Sequence, residues 1–136
     1  MRRALVGLLA GGALLLTGCG MNQSAADEVV PGLPDGWSGP QPDLITAEPV
    51  AGWVEGEESF GIVTFGSSSC PLVAASVSAD DPGTVTVDFR YSSNNPCTAD
   101  MAMTTHVFTL PENVTQRPVA VAFVLDGTTV RMELPG

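Results

Sequence analysis

Hydrophobic and polar residues alternate along most of the chain beyond residue 44. Val85, Val87, Phe89 and Tyr91 fall on one face of an extended segment, and polar residues take the positions between them. Alternation returns over residues 119–125, and Asp-Gly at 126–127 then leads into a further alternating run, which is the strongest short-range signal of a β-hairpin. Strands are therefore predicted at 60–66, 72–79, 84–91, 104–110, 119–125 and 130–134, with one more within 44–54.

The same pattern argues against helices. Glycine, proline and β-branched residues recur every few positions, and no stretch carries the 3.6-residue period of an amphipathic helix. Short strands at close spacing predict an all-β fold, a single antiparallel β-sandwich that is Ig-like in general architecture. Trp53 precedes both Cys70 and Cys97, so the Cys-Trp-Cys order of a true immunoglobulin domain is absent.

The first nineteen residues have the pattern of a bacterial lipoprotein signal. Arg2 and Arg3 precede an apolar run, residues 4–16, that is too short to span a bilayer as a helix. Leu16-Thr17-Gly18-Cys19 then resembles the lipobox of bacterial lipoproteins. The resemblance covers residues 1–19 and implies that residues 1–18 are removed and that Cys19 is acylated. It also implies a location on the outer face of the cytoplasmic membrane; the alternative is a plain secreted protein.

We divide the chain beyond this signal into two parts. Residues 19–43 hold the lipidated Cys19 and a segment rich in Pro and Gly with no period, which predicts a flexible linker. Trp37, within that linker, either docks back on the domain or is exposed. Residues 44–136 form the predicted sandwich, and their length suits one domain.

Cysteine usage fits an exported protein. With Cys19 acylated, Cys70 and Cys97 remain as an even pair, which in an oxidising compartment is most simply a disulfide. A metal or redox pair of thiols would have the C-x-x-C spacing, which is absent here.

The surroundings of the two cysteines carry a second resemblance. Ser67-Ser68-Ser69-Cys70-Pro71 and Cys97-Thr98-Ala99-Asp100-Met101 look like segments of small uncharacterised actinobacterial lipoproteins. The similarity spans about residues 50–136. It implies a fold and a disulfide, and it implies no activity.

Charge excludes one class of partner. The formal net charge is −10, and removal of Arg2 and Arg3 with the signal would make it more negative by 2. Such a domain repels nucleic acid and gains nothing from an anionic lipid surface. The expected partners are the lipid bilayer, through acylated Cys19, and an envelope protein.

Candidate catalytic and metal-binding residues are few. His106 is the single histidine, and no G-x-S-x-G motif accompanies it, so a Ser-His-Asp hydrolase is not expected. Met101, Met103 and His106 form M-x-M-x-x-H, a soft ligand set suited to Cu(I). The acidic residues of 55–58 and 80–81 offer hard oxygen ligands for calcium, although without the loop spacing of a known motif.

Together these features predict a membrane-anchored, extracytoplasmic lipoprotein with a non-catalytic binding or accessory domain of the cell envelope. We expect no enzyme activity, no cofactor and no metal. The alternative is a carrier of a small ligand or of Cu(I) through Met101, Met103 and His106.

Overall fold

The computed structural model describes residues 23–136, so the predicted signal and Cys19 lie outside the described residues. Nine strands form where branched and aromatic residues alternate with small or polar ones. The strands are β1 (Glu28–Pro31), β2 (Trp37–Ser38), β3 (Val50–Val54), β4 (Ser59–Gly66), β5 (Val73–Asp81), β6 (Thr84–Arg90), β7 (Ala102–Thr109), β8 (Ala120–Leu125) and β9 (Thr128–Glu133). The described residues contain no helix, and all seven predicted strands are present.

The strands build two sheets that pack face to face. One sheet has the order β1-β7-β4-β3-β2 and the other the order β5-β6-β8-β9. The predicted all-β sandwich with one disulfide is confirmed, since Cys70 and Cys97 are bonded with a sulfur–sulfur distance of 2.02 Å.

The sandwich has two ends, one of which carries the disulfide and four of the exposed large hydrophobic side chains. We call one the disulfide end; it comprises the loops at residues 43–49, 66–72, 91–101 and 126–127. The other is the acidic end, which comprises residues 55–58, 81–83 and 110–119. Backbone hydrogen bonds from Thr115 and Gln116 to the Pro82 carbonyl join its loops. Strand β7 runs between the ends for about 27 Å, at roughly 3.4 Å per residue.

One pair of strands departs from the antiparallel pairing of the predicted sandwich. Strands β6 and β8 are neighbours and run parallel, with Val87 opposite Phe123. The reason is the path of the chain: it leaves β6 at the disulfide end, crosses to the other sheet and returns through β7 to the acidic end. It then enters β8 from the same end at which β6 began.

The predicted flexible linker is wrong for most of its length. Strand β1 pairs with β7 along four residues, and β2 pairs with β3. Asp27 adds a side-chain cap, its Oδ2 accepting hydrogen bonds from the backbone N–H and the hydroxyl of Thr109. A segment with no periodicity can still serve as an edge strand, because pairing uses backbone groups that every residue except proline carries. The domain therefore begins well before residue 44.

Trp37 docks on the outer face of the first sheet. Its indole lies against Gly39, Gly52 and Gly61, and a Cβ at Gly52 would lie 2.8 Å from the ring. Glycine at this position of β3 leaves a flat surface that receives the ring. Of the two possibilities left open for Trp37, docking is the one observed, and it pins residues 37–39 to the sheet.

The core lies between the sheets. Alternate residues of the strands point inward, as Val85, Val87 and Phe89 do on β6, each at most 5% exposed. Phe60 and Phe108 stack with their ring centroids 5.2 Å apart. Trp53 is buried and donates its indole N–H to the Pro135 carbonyl at 2.7 Å, which holds the end of the chain against β3.

Among residues 23–136 no helix is long and apolar enough to cross a membrane.

Candidate functional site

His106 is buried in the sandwich interior. It is 0% exposed, and its ring meets Phe89 edge-on with centroids 4.9 Å apart. Its Nε2 lies 3.1 Å from the Thr64 hydroxyl, which also lies 3.4 Å from the Thr104 carbonyl oxygen. Its Nδ1 has no hydrogen-bond partner among the described residues. The ring therefore has a single polar contact, and no part of it reaches the surface.

Burial keeps this histidine neutral. Desolvation lowers the pKa of His106 from 6.5 to about 4, because the charged form would lose its hydration without gaining a counter-ion. At neutral pH the imidazole is uncharged and enclosed, so in this conformation it has no access to a substrate. It therefore lacks the geometry that a general base requires.

The structure does not bring the three copper candidates together. Met103 and His106 are three residues apart on β7, and side chains at odd separation on a strand point to opposite faces. Met101 precedes the strand and is 57% exposed. Cu(I) coordination needs converging ligands, so M-x-M-x-x-H as folded here does not form a site.

The carboxylates considered for calcium also do not form a site. Among residues 23–136 no group of three or more His, Cys, Asp or Glu side chains is placed to hold a metal ion. Asp81 uses its Oδ1 to accept the backbone N–H of Gly83 at 2.8 Å, which closes the turn between β5 and β6. Its role in the structure is that of a turn residue.

A hydroxyl cluster lies at the disulfide end. It consists of Ser67, Ser68, Ser69, Thr98 and Asp100, all close to the Cys70–Cys97 bond. The Thr98 hydroxyl lies 2.8 Å from that of Ser67 and 2.5 Å from Asp100 Oδ1, and the backbone N–H of Ser68 donates to the same Oδ1 at 3.1 Å. The cluster thus crosslinks the loop after β4 to the loop before β7.

The charge state of Asp100 indicates what the cluster can do. Hydrogen bonds from the Ser68 and Thr98 side chains, in that order of effect, lower the pKa of Asp100 from 3.8 to about 2. A carboxylate held so firmly ionised is a poor base, and His106 is enclosed in the core. The serines therefore lack the adjacent base that activates a nucleophile, and the geometry favours loop fixation.

The disulfide end exposes large apolar side chains that the alternation pattern assigns to strands or their neighbourhood. The alternation places Tyr91 on the same strand face as Val87 and Phe89, but β6 ends at Arg90 and Tyr91 is 66% exposed. Leu44 and Ile45 belong to the range 44–54 that is predicted to contain a strand, but they lie in a turn closed by a hydrogen bond from the Ala47 N–H to the Asp43 carbonyl, and Ile45 is 94% exposed. The Asp and Pro residues that flank Leu44 and Ile45 were the available signal of this turn.

Comparison of the chain with protein-family models, with curated proteins and with solved structures found no match.

Proposed function

We propose that this protein is a lipid-anchored extracytoplasmic lipoprotein whose β-sandwich is a non-catalytic binding or accessory domain of the cell envelope. The observation that carries the proposal is Leu16-Thr17-Gly18-Cys19 placed directly behind a basic and apolar segment. The Cys70–Cys97 disulfide supports an oxidising compartment, since such bonds persist outside the cytoplasm and are rare within it.

Two further observations support a binding role over a catalytic one. His106, the single histidine, is enclosed in the core. Asp100 accepts hydrogen bonds from Ser68 in the neighbouring loop and from Thr98 in its own loop. Among residues 23–136, the surface that remains consists of the loops at both ends of the sandwich and four edge strands, β1, β2, β5 and β9. Such surfaces commonly bind proteins through an edge or a loop cluster.

The anchor is tested on the full-length chain expressed in a bacterium that processes lipoproteins. The N-terminal peptide of the mature protein is expected to begin at Cys19 and to carry the added mass of diacylglycerol. A Cys19→Ala chain is the control, and it should be neither acylated nor cleaved at this position. An unmodified Cys19 in the wild-type protein would overturn the lipoprotein assignment.

The binding role is tested by crosslinking the native lipoprotein in cells, followed by mass spectrometry. We expect one dominant envelope protein, with crosslinks clustered on one loop group or one sheet edge. Turnover of an envelope substrate by the purified protein, lost in His106→Gln or Asp100→Asn, would contradict the proposal.

A further inference from the structure

We propose that the disulfide end of the domain faces the bilayer and contacts its surface. This inference rests on the proposed function, because it assumes that Cys19 is acylated. It goes beyond that function by assigning an orientation and a membrane-contact surface.

The first argument is the place at which the described chain begins. The Gln23 carbonyl accepts a hydrogen bond from Arg90 Nη2 at 3.4 Å, at the end of β6 next to the disulfide-linked loops. Ser24 lines a hollow with Pro71, Ser92 and Asn94, which belong to those loops. Ala25 donates its N–H to the Ala74 carbonyl at 2.8 Å. The chain is therefore attached to the domain from Gln23 onward, beside the disulfide end.

The second argument is the short chain between this point and the anchor. Only Gly20, Met21 and Asn22 separate Cys19 from Gln23. Four residue steps of at most about 3.6 Å each place the two Cα atoms no more than roughly 14 Å apart. A lipid-bearing Cys19 lies at the membrane surface, so the disulfide end must lie there too. The sandwich cannot stand off the bilayer as a domain on a long linker would.

The third argument is the distribution of exposed apolar side chains. Leu44, Ile45, Tyr91 and Met101 are each at least half exposed, and all four belong to loops of the disulfide end. A fifth exposed hydrophobic residue, Val29, lines the same hollow as Ser24. Apolar and aromatic side chains at one end of a domain can insert into the headgroup region of a bilayer. A tyrosine there can bury its ring among apolar groups while its hydroxyl remains hydrated.

The fourth argument is the distribution of charge. Asp43, Glu48, Asp100 and Asp126 lie at the disulfide end, and Asp88 lies two residues before the end of β6 that adjoins it. Asp27 and Glu28 follow Gln23 by four and five residues, so they lie near the point of attachment. The other eight acidic residues lie at or toward the acidic end: Asp35, Glu55, Glu57, Glu58, Asp80, Asp81, Glu112 and Glu133. The acidic end is about 27 Å away along β7, several Debye lengths at physiological salt. The proposed orientation thus keeps eight of the fifteen acidic residues, including Glu55, Glu57 and Glu58, away from anionic headgroups.

The orientation is tested with two labelled variants of the full lipoprotein in vesicles of phosphatidylcholine and phosphatidylglycerol. Ile45→Cys places a thiol at the disulfide end, and Glu57→Cys places one on an exposed loop of the acidic end. The native cysteines do not react with a maleimide, since one pair is oxidised and Cys19 is acylated. Each variant carries a fluorophore, and a short-range quencher is attached to the lipid headgroups.

We expect quenching of the label at position 45 to exceed that at position 57 several-fold. Insertion of a 20-residue Gly/Ser linker after Asn22 is the matched control, and it should reduce the difference because the domain is released from the surface. Equal quenching at the two positions in the uninserted protein, or stronger quenching at 57, would overturn the orientation.

The mass of the N-terminal peptide and flotation with vesicles are measured on the same preparations. An acylated, floating protein with equal quenching at both labels overturns the orientation alone. A protein that is neither acylated nor floating overturns the lipoprotein assignment and the orientation with it. Protection of the label at 45 that persists in detergent would show that another protein or a second copy covers this end, which would also overturn the membrane contact.

Discussion

At the scale of the residue, the informative side chains are those whose surroundings change their chemistry. His106 and Asp100 both have lowered pKa values, for opposite physical reasons. Desolvation destabilises the protonated, charged form of the histidine, and donated hydrogen bonds stabilise the charged form of the aspartate. In the structure the first residue is a component of the core and the second ties two loops together.

His106 should make stability depend on pH. Its pKa is about 4 in the folded protein and 6.5 in an unfolded chain, so between these values the unfolded state binds a proton that the folded state does not. The free energy of unfolding should fall by about 3 kcal/mol from this group as the pH drops through that interval, with the change beginning about one pH unit above 6.5 and ending about one unit below 4.

Urea unfolding at several pH values measures this effect. In His106→Gln the decrease between pH 6.5 and 4 should be smaller by that amount, while the part due to carboxylates is shared with the wild-type protein. If the free energy of unfolding fell equally with pH in the two proteins, the pKa of His106 would not be lowered, because the charged imidazole would keep its hydration in the folded state.

At the scale of the element, the segment predicted as a linker makes the largest difference. Strand β1 and the residues around Trp37 complete the first sheet and cover its outer face. Both attachments depend on partners distant in sequence, namely β7 for β1 and Gly52 for Trp37. The local composition correctly indicates that the segment lacks periodicity, but it carries no information about the distant residues with which the segment pairs and packs.

Hydrogen exchange distinguishes a strand from a linker. The N–H groups of Asp27 and Gly32 donate to Val107 and Met103 at 2.8 and 2.9 Å. Both amides should exchange far more slowly than in an unstructured peptide, because exchange requires the pairing with β7 to open. The amide of Gln41, on an exposed part of the same segment, is the internal reference. If the amides of Asp27 and Gly32 exchanged as fast as in an unstructured peptide, the segment would be a flexible linker and not a strand.

Gly52→Ala tests the docking of Trp37. The added methyl group would lie 2.8 Å from Trp37 Cη2 and 2.9 Å from Gly39 Cα, so the ring or the backbone must shift. We expect a loss of about 1–3 kcal/mol in the free energy of unfolding, the usual cost of overpacking. In a Trp37→Ala background the same substitution should cost less, because one of the two clashes is gone. Equal costs in both backgrounds would contradict the packing.

At the scale of the whole molecule, the fold gathers the disulfide and four exposed large hydrophobic side chains at one end of the sandwich. The grouping arises because the loops of both sheets meet at the same two ends of the sandwich. Residues spread along the chain, such as Ile45, Tyr91 and Met101, are thereby collected on one end. This arrangement underlies the proposed membrane contact.

Replacement of both cysteines by serine tests what the disulfide contributes to the whole domain. The bond closes a loop with a sequence separation of 27. Its removal should lower the free energy of unfolding by about 3–4 kcal/mol, since the unfolded chain regains the freedom that the loop had lost. Changing both residues together avoids an unpaired thiol, and urea unfolding of the two proteins measures the difference. An unchanged unfolding midpoint would mean that the bond only fixes the loops locally.

Much of this protein could be predicted from the sequence alone. The alternation of residues such as Val85, Val87 and Phe89 determines the strands, because a half-buried strand has a period of two. The export signature and the even pair Cys70 and Cys97 predicted the disulfide that the structure contains. These features are local, or they depend on composition, so no knowledge of the neighbours in space was needed.

The tertiary structure decided which strands pair and what each candidate side chain touches. Three features depend on partners that are far apart in the sequence: the parallel pairing of β6 with β8, the pairing of β1 with β7, and the packing of Trp37 against Gly52. The copper hypothesis grouped Met103 with His106 by spacing, whereas the strand geometry of β7 points them to opposite faces. Spacing in sequence does not determine convergence in space, and a site requires convergence.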